Sequence, residues 1–293
     1  MAFLRVGLGL NVLFLAALSQ ETRQALLGPL GQISFTSFQT YGQPPPLSLY
    51  QYSASEWFPV ALWAITVSVA IFYTLGTFWN TTRVLLPILL FSLVDRNAFA
   101  FDGGAFLALS LLIMLAFTDA SSFFTMPQSR PIMRSDGSRA KMKTVTHNVF
   151  RRLIIWQIFT AYFWSSYYKL NGTHWQGGIA MRDIMELRRY QVLPALSHWI
   201  ATFPLIFSAM TYGALTIQTA FPILMWSKRL KPYLVGLVVT LHIGIAVLLG
   251  LYTFSFTMVI SDISLLDDDH FFVCIAFLRK VASKLSRRIF GDH

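Results

Sequence analysis

Charged residues and cysteines are both scarce in this chain. Only 12% of its 293 residues are charged, whereas 55% are hydrophobic and 15% are aromatic. A soluble domain has too little interior to bury so large an apolar fraction, and the composition therefore predicts an integral membrane protein. The one cysteine, Cys274, excludes an intrachain disulfide and any cysteine-rich metal cluster.

Several catalytic and ligand-binding signatures are missing as well. The sequence has no Gly-Lys-Ser/Thr phosphate loop, no dinucleotide fingerprint, no His-Glu-x-x-His and no Gly-x-Ser-x-Gly. His174 and His198 lack the i, i+3 or i+4 spacing that a metal-binding pair on a helix needs, so we predict no metal. Nothing in these patterns indicates nucleotide-dependent, zinc-dependent or serine-hydrolase chemistry.

The main feature of the sequence is a series of apolar runs, and these runs predict the fold. A membrane helix needs about 20 apolar residues. We predict an all-α polytopic bundle of about eight transmembrane helices in residues 1–266 and a basic amphipathic C-terminal helix in residues 267–293. The runs lie at roughly 4–19, 58–78, 84–100, 104–121, 153–169, 203–226, 233–249 and 251–266.

The positive charge of the chain lies mainly between these runs. A net charge of +10 could indicate nucleic acid binding in a soluble protein, but here its placement indicates membrane orientation. Residues 127–152 are strongly basic, as are 228–231 and 279–288. Eight spans with both termini in the cytosol put all three segments on the cytosolic side. The same topology places residues 170–202 at the outer face, and we expect no nucleic acid partner.

Lys169 follows the apolar run Ile154 to Tyr168 and is the most informative single residue. An ammonium at the edge of hydrocarbon either extends toward the lipid head groups or is kept partly desolvated. A partly desolvated amine can lose its proton near neutral pH and act as a base. Chemistry alone leaves both interpretations open.

Three other polar residues lie in or beside apolar runs. His242 is in the middle of the seventh run and must face the protein interior, either in an interhelical hydrogen bond or orienting a reactive group. Asp95, followed by Arg96 and Asn97, cannot face lipid. Asp102 precedes Gly103 and is a candidate helix cap or site residue. Tyr168 and Trp175 are candidate substrate contacts or ordinary interface aromatics. We predict an outer-half cavity lined by Lys169, His242, Asp102, Asp95 and Trp175.

Three segments carry a family pattern. Gln157–Ala180 holds a glutamine, aromatic residues, then Tyr-x-Lys-Leu at 167–170, Trp175, Gly177 or Gly178, and Ala180. Residues 95–119 contain a Gly-Gly pair and close on Thr-Asp, and His242 is followed by the aromatic segment 251–256. Over nearly its whole length the chain resembles the HTTM superfamily. This membrane module is shared by vitamin K-dependent γ-glutamyl carboxylase and by SdpB-type proteins of bacterial peptide-toxin systems.

The resemblance implies roles for two of these residues. In the carboxylase, the lysine that matches Lys169 is regarded as the base that deprotonates vitamin K hydroquinone, so a reduced quinone is the implied cofactor. His242 would support that base. A carboxylase histidine falls at Asp102 here, which argues against quinone oxygenation. The chain also ends soon after its last predicted span, without the carboxylase's large lumenal domain, and in outline is closer to the short bacterial SdpB-type proteins.

These observations give one leading hypothesis and two alternatives. The leading one is a multi-pass protein of the bacterial cytoplasmic membrane that modifies or processes a small secreted peptide at the outer face, with Lys169 as base or substrate anchor. The first alternative is a non-catalytic assembly or export factor that acts with a partner membrane subunit. The second is a vitamin K-dependent glutamate carboxylase. Whether the protein is an enzyme stays open at this point.

Overall fold

The regular structure of this chain is helical wherever it is described. The computed structural model describes residues 1–20, 26–28, 47–52, 55–97, 101–120 and 137–267, without the side chains of 137–141 and 143. No strand occurs in these ranges, which confirms the all-α prediction. The α-helices are α1 (Ala2–Leu18), α2 (Trp57–Leu75), α3 (Trp79–Arg96), α4 (Gly103–Leu115), α5 (Gly137–Leu170), α6 (Thr173–Gln176), α7 (Ala180–Glu186), α8 (Pro194–Thr202), α9 (Pro204–Leu224), α10 (Lys231–Leu249) and α11 (Tyr252–Ile263).

Each of the eight apolar runs coincides with one of the longer helices: α1 to α5 and α9 to α11. Among the described residues, α2 and α10 are long and apolar enough to cross a membrane on their own. Helices α8 and α9 together form a third such segment, bent by 98° between them, whereas α1 and α4 are apolar but shorter. Some of the described helices are thus long and apolar enough to span a membrane.

The eight longer helices pack in a closed ring. Contacts run from α1 through α2, α3, α4 and α5 to α9, then through α10 and α11 back to α1, and α4 also touches α11 across the ring. The core between α4, α5, α9, α10 and α11 is apolar and fully buried. Its central side chains include Leu111, Ile158, Phe221, Val238 and Met258.

Helices α4 and α11 approach each other through a glycine. A Cβ atom built on Gly104 would lie 2.4 Å from the Cα atom of Phe254, so any side chain there would displace backbone. The neighbouring Gly103 has open space around the same position. The close approach at Gly104 sets the spacing of the two helices next to Gly103 and Phe254, which line a cavity.

Two sequence predictions lie outside the described residues. One is the amphipathic C-terminal helix of 267–293, of which only Asp267 is described. That residue accepts a hydrogen bond of 3.3 Å from Lys231 Nζ at the start of α10. The other is the basic loop as far as residue 136.

The Gly104→Ala substitution should destabilise the protein, because its methyl group would push α4 away from the backbone of Phe254. We expect a loss of about 1–3 kcal/mol, as is typical of overpacked interiors. Thermal unfolding in detergent micelles measures it. Gly103→Ala, with nothing near its Cβ, is the matched control and should change stability by less than about 0.5 kcal/mol. Equal unfolding temperatures for the two variants would contradict the packing described for α4 and α11.

Candidate functional site

A cavity of about 610 Å³ lies between α4, α5, α9, α10 and α11 and is closed on one side by α6 and α7. Most of its wall is apolar, built from leucine, isoleucine, methionine and glycine residues of these helices. Its polar side chains are few: Tyr162, Ser165, Lys169, Gln218 and His242. An apolar cavity with a small number of convergent polar groups is the usual form of a ligand site.

Helix α5 supplies the polar face of the cavity. Tyr162, Ser165 and Lys169 follow one another at intervals of three and four residues, so they share one side of the helix. At 1.5 Å per residue, Tyr162 and Lys169 stand about 10 Å apart along the helix axis. The other side of α5 carries aromatic residues that face outward, including Trp164 and Tyr168, the latter 68% exposed.

The Lys169 amine points into the cavity wall rather than away from the protein. Its Nζ donates a hydrogen bond to Oε1 of Gln218 on α9. The same nitrogen lies 4.9 Å from the centre of the Trp175 ring, a cation-π distance. Within the described part of the chain, no carboxylate forms an ion pair with Lys169. The amine is therefore held by one neutral acceptor and one aromatic face.

Trp175 reaches this position because the chain turns back after α5 and packs on α9. The Tyr212 hydroxyl donates to the carbonyl of Gln176 over 2.9 Å, and the amide of Met181 donates to Thr211 Oγ1 over 3.1 Å. Between α6 and α7, Gly178 adopts φ +70°, a left-handed conformation that glycine accommodates without strain. The turn at Gly178 and the two hydrogen bonds to α9 thus hold the segment that carries Trp175 beside Lys169.

A charged cluster outside the cavity joins α6 to α7. His174 Nδ1 is hydrogen-bonded to Asp183 Oδ2, and Arg182 Nη2 donates to Asp183 Oδ1 over 2.8 Å. The hydrogen bond from His174, together with Arg182, holds the pKa of the Asp183 carboxyl below its usual value. The cluster is partly exposed and none of its three residues lines the cavity, so it joins α6 to α7 without facing a ligand there.

His242 is part of a buried hydrogen-bond chain across three helices. Its Nε2 lies 3.0 Å from the Tyr162 hydroxyl of α5, and that hydroxyl donates to Asp262 Oδ2 of α11 over 2.8 Å. The three residues are at most 2% exposed. Nδ1 of His242 is buried and has no protein partner in the described ranges. The interhelical hydrogen bond, one of the two alternatives that the sequence left open for His242, is present.

Asp102 caps α4. Its Oδ1 accepts hydrogen bonds from the amides of Gly104 at 2.9 Å and Ala105 at 3.2 Å, and its Oδ2 accepts one from Thr253 Oγ1 at 3.0 Å. Both carboxylate oxygens are therefore engaged in joining the starts of α4 and α11. The cap interpretation of this residue agrees with the geometry.

The structure brings three of the predicted site residues together and leaves three outside the cavity wall. Lys169, His242 and Trp175 line the same cavity, and Asp102 is adjacent to its lining residue Gly103. Asp95, at the end of α3, and the outward-facing Tyr168 are not among the lining residues.

Sequence reasoning missed Gln218, Tyr162 and Asp262. Gln218 and Asp262 each lie inside an apolar run, and the rule that singled out His242 also applies to them. Tyr162 had no such signal, because the helix is rich in aromatic residues and the sequence does not distinguish this one from the others. Only the structure shows its hydroxyl between two hydrogen-bond partners.

No family model, curated protein or solved structure matches this chain. The geometry and chemistry of its own residues therefore carry the functional argument.

Replacing Asp102 tests whether it is a cap or a ligand-binding residue. Asp102→Ala removes the acceptor for two helix amides and should cost about 0.5–2 kcal/mol. Asp102→Asn keeps a cap of similar quality and should stay close to the parent protein in an unfolding experiment in micelles. A fully stable Asp102→Ala variant would contradict the cap assignment.

Proposed function

We propose that this chain is a membrane-embedded enzyme of the HTTM type that modifies a small secreted peptide at the outer face, with Lys169 acting on the substrate inside the cavity. The observation that carries the proposal is the placement of the Lys169 amine: in an apolar cavity, bound to the neutral Gln218 and facing Trp175, with no carboxylate paired to it in the described residues. His242 lines the same cavity in a supporting role.

The bond to Gln218 suits a lysine that works as a base. A lysine nitrogen carries N–H groups in both protonation states, so the Gln218 carbonyl can hold it in either one. When the amine is neutral, its lone pair is not used by Gln218 and is free to take a proton from a ligand. When it is protonated, the missing carboxylate makes it an attractive site for an anionic group of the substrate.

The membrane setting is supported by the outer surface of the helices. Helices α2 and α10 are apolar enough to cross a bilayer, and large apolar side chains are exposed on the outside of the ring. On α5 the outward aromatic residues Trp164, Tyr167 and Tyr168 lie just before Lys169, as residues of a membrane-interface belt do. The proposal places Lys169 in the outer half of an eight-span bundle with both termini in the cytosol.

The size of the cavity limits what can react there. A volume of about 610 Å³ is in the range of small-molecule sites and is far too small for a folded domain. A peptide would therefore enter with one side chain or a short segment, while the rest of it stays at the outer face or on a partner subunit.

The apolar wall also favours a second candidate. Leucine, isoleucine and methionine side chains from α9 and α10 surround the polar groups, which is a suitable environment for an aromatic ring such as that of a reduced quinone. In that case Lys169 would deprotonate the quinol, and the protein would be a glutamate carboxylase. Incorporation of labelled carbon dioxide into peptide glutamate separates this candidate from other peptide modifications.

Two substitutions of Lys169 test the enzyme proposal. In cells that make the cognate peptide, Lys169→Ala should abolish peptide maturation while the abundance of the membrane protein stays unchanged. Lys169→Arg keeps the positive charge but cannot lose a proton near neutral pH, so it should also be inactive if the lysine is a base. Mass spectrometry of the secreted peptide measures both.

The exposed Lys228→Ala variant is the control for loss of a basic residue. Full maturation with Lys169→Ala would refute the enzyme proposal and leave the non-catalytic assembly factor. If Lys169→Arg matures the peptide and Lys169→Ala does not, the positive charge is sufficient, and Lys169 is a substrate anchor rather than a base.

Filling the cavity tests whether the reaction takes place there. Gly244 lines the cavity, Gly236 lies two turns earlier on the same helix outside it, and neither has an atom near its Cβ position. Gly244→Phe should therefore abolish maturation, whereas Gly236→Phe should not, at equal abundance and unfolding temperature. Equal activity of the two variants would place the reaction outside this cavity.

A further inference from the structure

The hydrogen-bond chain of His242, Tyr162 and Asp262 joins the cavity to a carboxyl group that has no access to solvent. The side chains of His242 and Asp262 are 1% and 0% exposed. They are 3.9 Å apart at their nearest nitrogen and oxygen, and the Tyr162 hydroxyl lies between them at 3.0 and 2.8 Å. The three residues come from α10, α5 and α11, so the folded ring of helices is needed to bring them together.

The phenol in the middle has only one proton for two partners. It donates to one neighbour and accepts from the other. In the first arrangement Tyr162 donates to an ionised Asp262 and accepts from Nε2–H of His242, which leaves Nδ1 as a bare acceptor. In the second arrangement a protonated Asp262 donates to Tyr162, Tyr162 donates to Nε2, and Nδ1 carries the imidazole proton.

These two arrangements differ by one proton. When Nδ1 takes a proton from a donor in the cavity, the Nε2–H bond breaks and its proton passes to the Tyr162 oxygen. The former phenol proton passes to Asp262 Oδ2, and the new bonds are Nδ1–H, the phenol O–H and the carboxyl O–H. His242 and Tyr162 are neutral before and after the transfer, and only Asp262 changes charge.

We infer that the hydrogen-bond network of His242, Tyr162 and Asp262 is a proton relay, in which His242 accepts a proton released in the cavity and Asp262 stores it. The inference rests on the proposed function, because the reaction that Lys169 carries out in the cavity would supply the proton. It names Asp262 and Tyr162 as positioning residues that act through His242, and it gives the site a second proton acceptor besides Lys169.

Within the described residues, an unpaired polar atom lies at each end of the hydrogen-bond network, which is the arrangement that a relay needs. Nδ1 of His242 and Oδ1 of Asp262 are both buried without a protein partner in the described part of the chain. Buried polar atoms left unpaired cost free energy, and a purely structural network would tend to satisfy them. Nδ1 belongs to a residue that lines the cavity, so His242 is the end of the network on the cavity side.

Among the described residues, few other titratable groups lie near the hydrogen-bond network of His242, Tyr162 and Asp262. Helix α5 contributes Lys169 in addition to Tyr162, and Asp102 lies at the start of α4, bound to Thr253 of α11. Helix α1 packs on α11 and carries the buried Arg5, whose Nη2 donates to the carbonyl of Thr74 at 3.4 Å. Tyr212 of α9 is bound to the carbonyl of Gln176.

Nitrogen-15 NMR of histidine-labelled protein in lipid nanodiscs tests the relay without knowledge of the substrate, because the probe is the proton itself. His242→Gln identifies which signals belong to His242. As the pH falls, His242 of the parent protein should stay neutral and change from the Nε2–H to the Nδ1–H tautomer. The carbonyl stretch of a protonated Asp262 should appear over the same pH range in infrared spectra.

Asp262→Asn is nearly the same shape and can accept the Tyr162 hydrogen bond, but it cannot store a proton. In this variant His242 should become a doubly protonated imidazolium instead of changing tautomer. Tyr162→Phe should uncouple the two titrations, so that the histidine and carboxyl signals no longer change together. A parent protein whose His242 keeps one tautomer at every pH at which it is folded, or goes directly to imidazolium, would overturn the relay.

These readouts are independent of Lys169. If NMR shows the relay and the Lys169→Ala variant still matures the peptide, the enzyme proposal is refuted and the relay stands. If maturation depends on Lys169 and His242 does not change tautomer, the relay is refuted and the enzyme proposal stands.

Discussion

The hydrogen bond from Lys169 to Gln218 is the interaction on which the rest of this site depends. An amine in an apolar cavity needs a partner, because an unpaired polar group there costs free energy. Here the partner is a neutral amide on α9, and Trp175 covers the same nitrogen. A carboxylate partner would have made a stable ion pair with little chemical use. The neutral partner leaves the lysine able to lose its proton or to attract an anion.

The remaining polar groups of the cavity follow from the geometry of α5. Its polar face carries Lys169 at one end and Tyr162 about two turns away, which is roughly 10 Å. Tyr162 connects α5 to His242 and Asp262, while Lys169 connects it to α9. One helix thus fixes Tyr162 and Lys169 at two separate places on the same apolar wall. Asp102 contributes indirectly, because it holds the start of α4 against α11 beside the cavity.

The sequence predicted the helices and part of the site, and the difference has a physical cause. Long apolar runs determine where helices form, so the all-α class and the eight longer helices could be read from composition and spacing. Lys169 and His242 stood out because a charged or polar group in an apolar run is costly. The same cost applies to Gln218 and Asp262, which the sequence analysis passed over. Tyr162 acts only through partners from other helices, and such pairing cannot be read from one chain segment. Asp95 was predicted to line the cavity by the same cost argument, but it lies elsewhere in the ring.

The most direct test of this account is an experimental structure of the protein in a lipid nanodisc, determined by cryo-electron microscopy with a bound antibody fragment. The account predicts eight membrane-crossing helices and a Lys169 nitrogen inside the ring, in contact with Gln218 and over the Trp175 ring. A Lys169 side chain that extends into the lipid head groups, with Gln218 bound to another group, would contradict it.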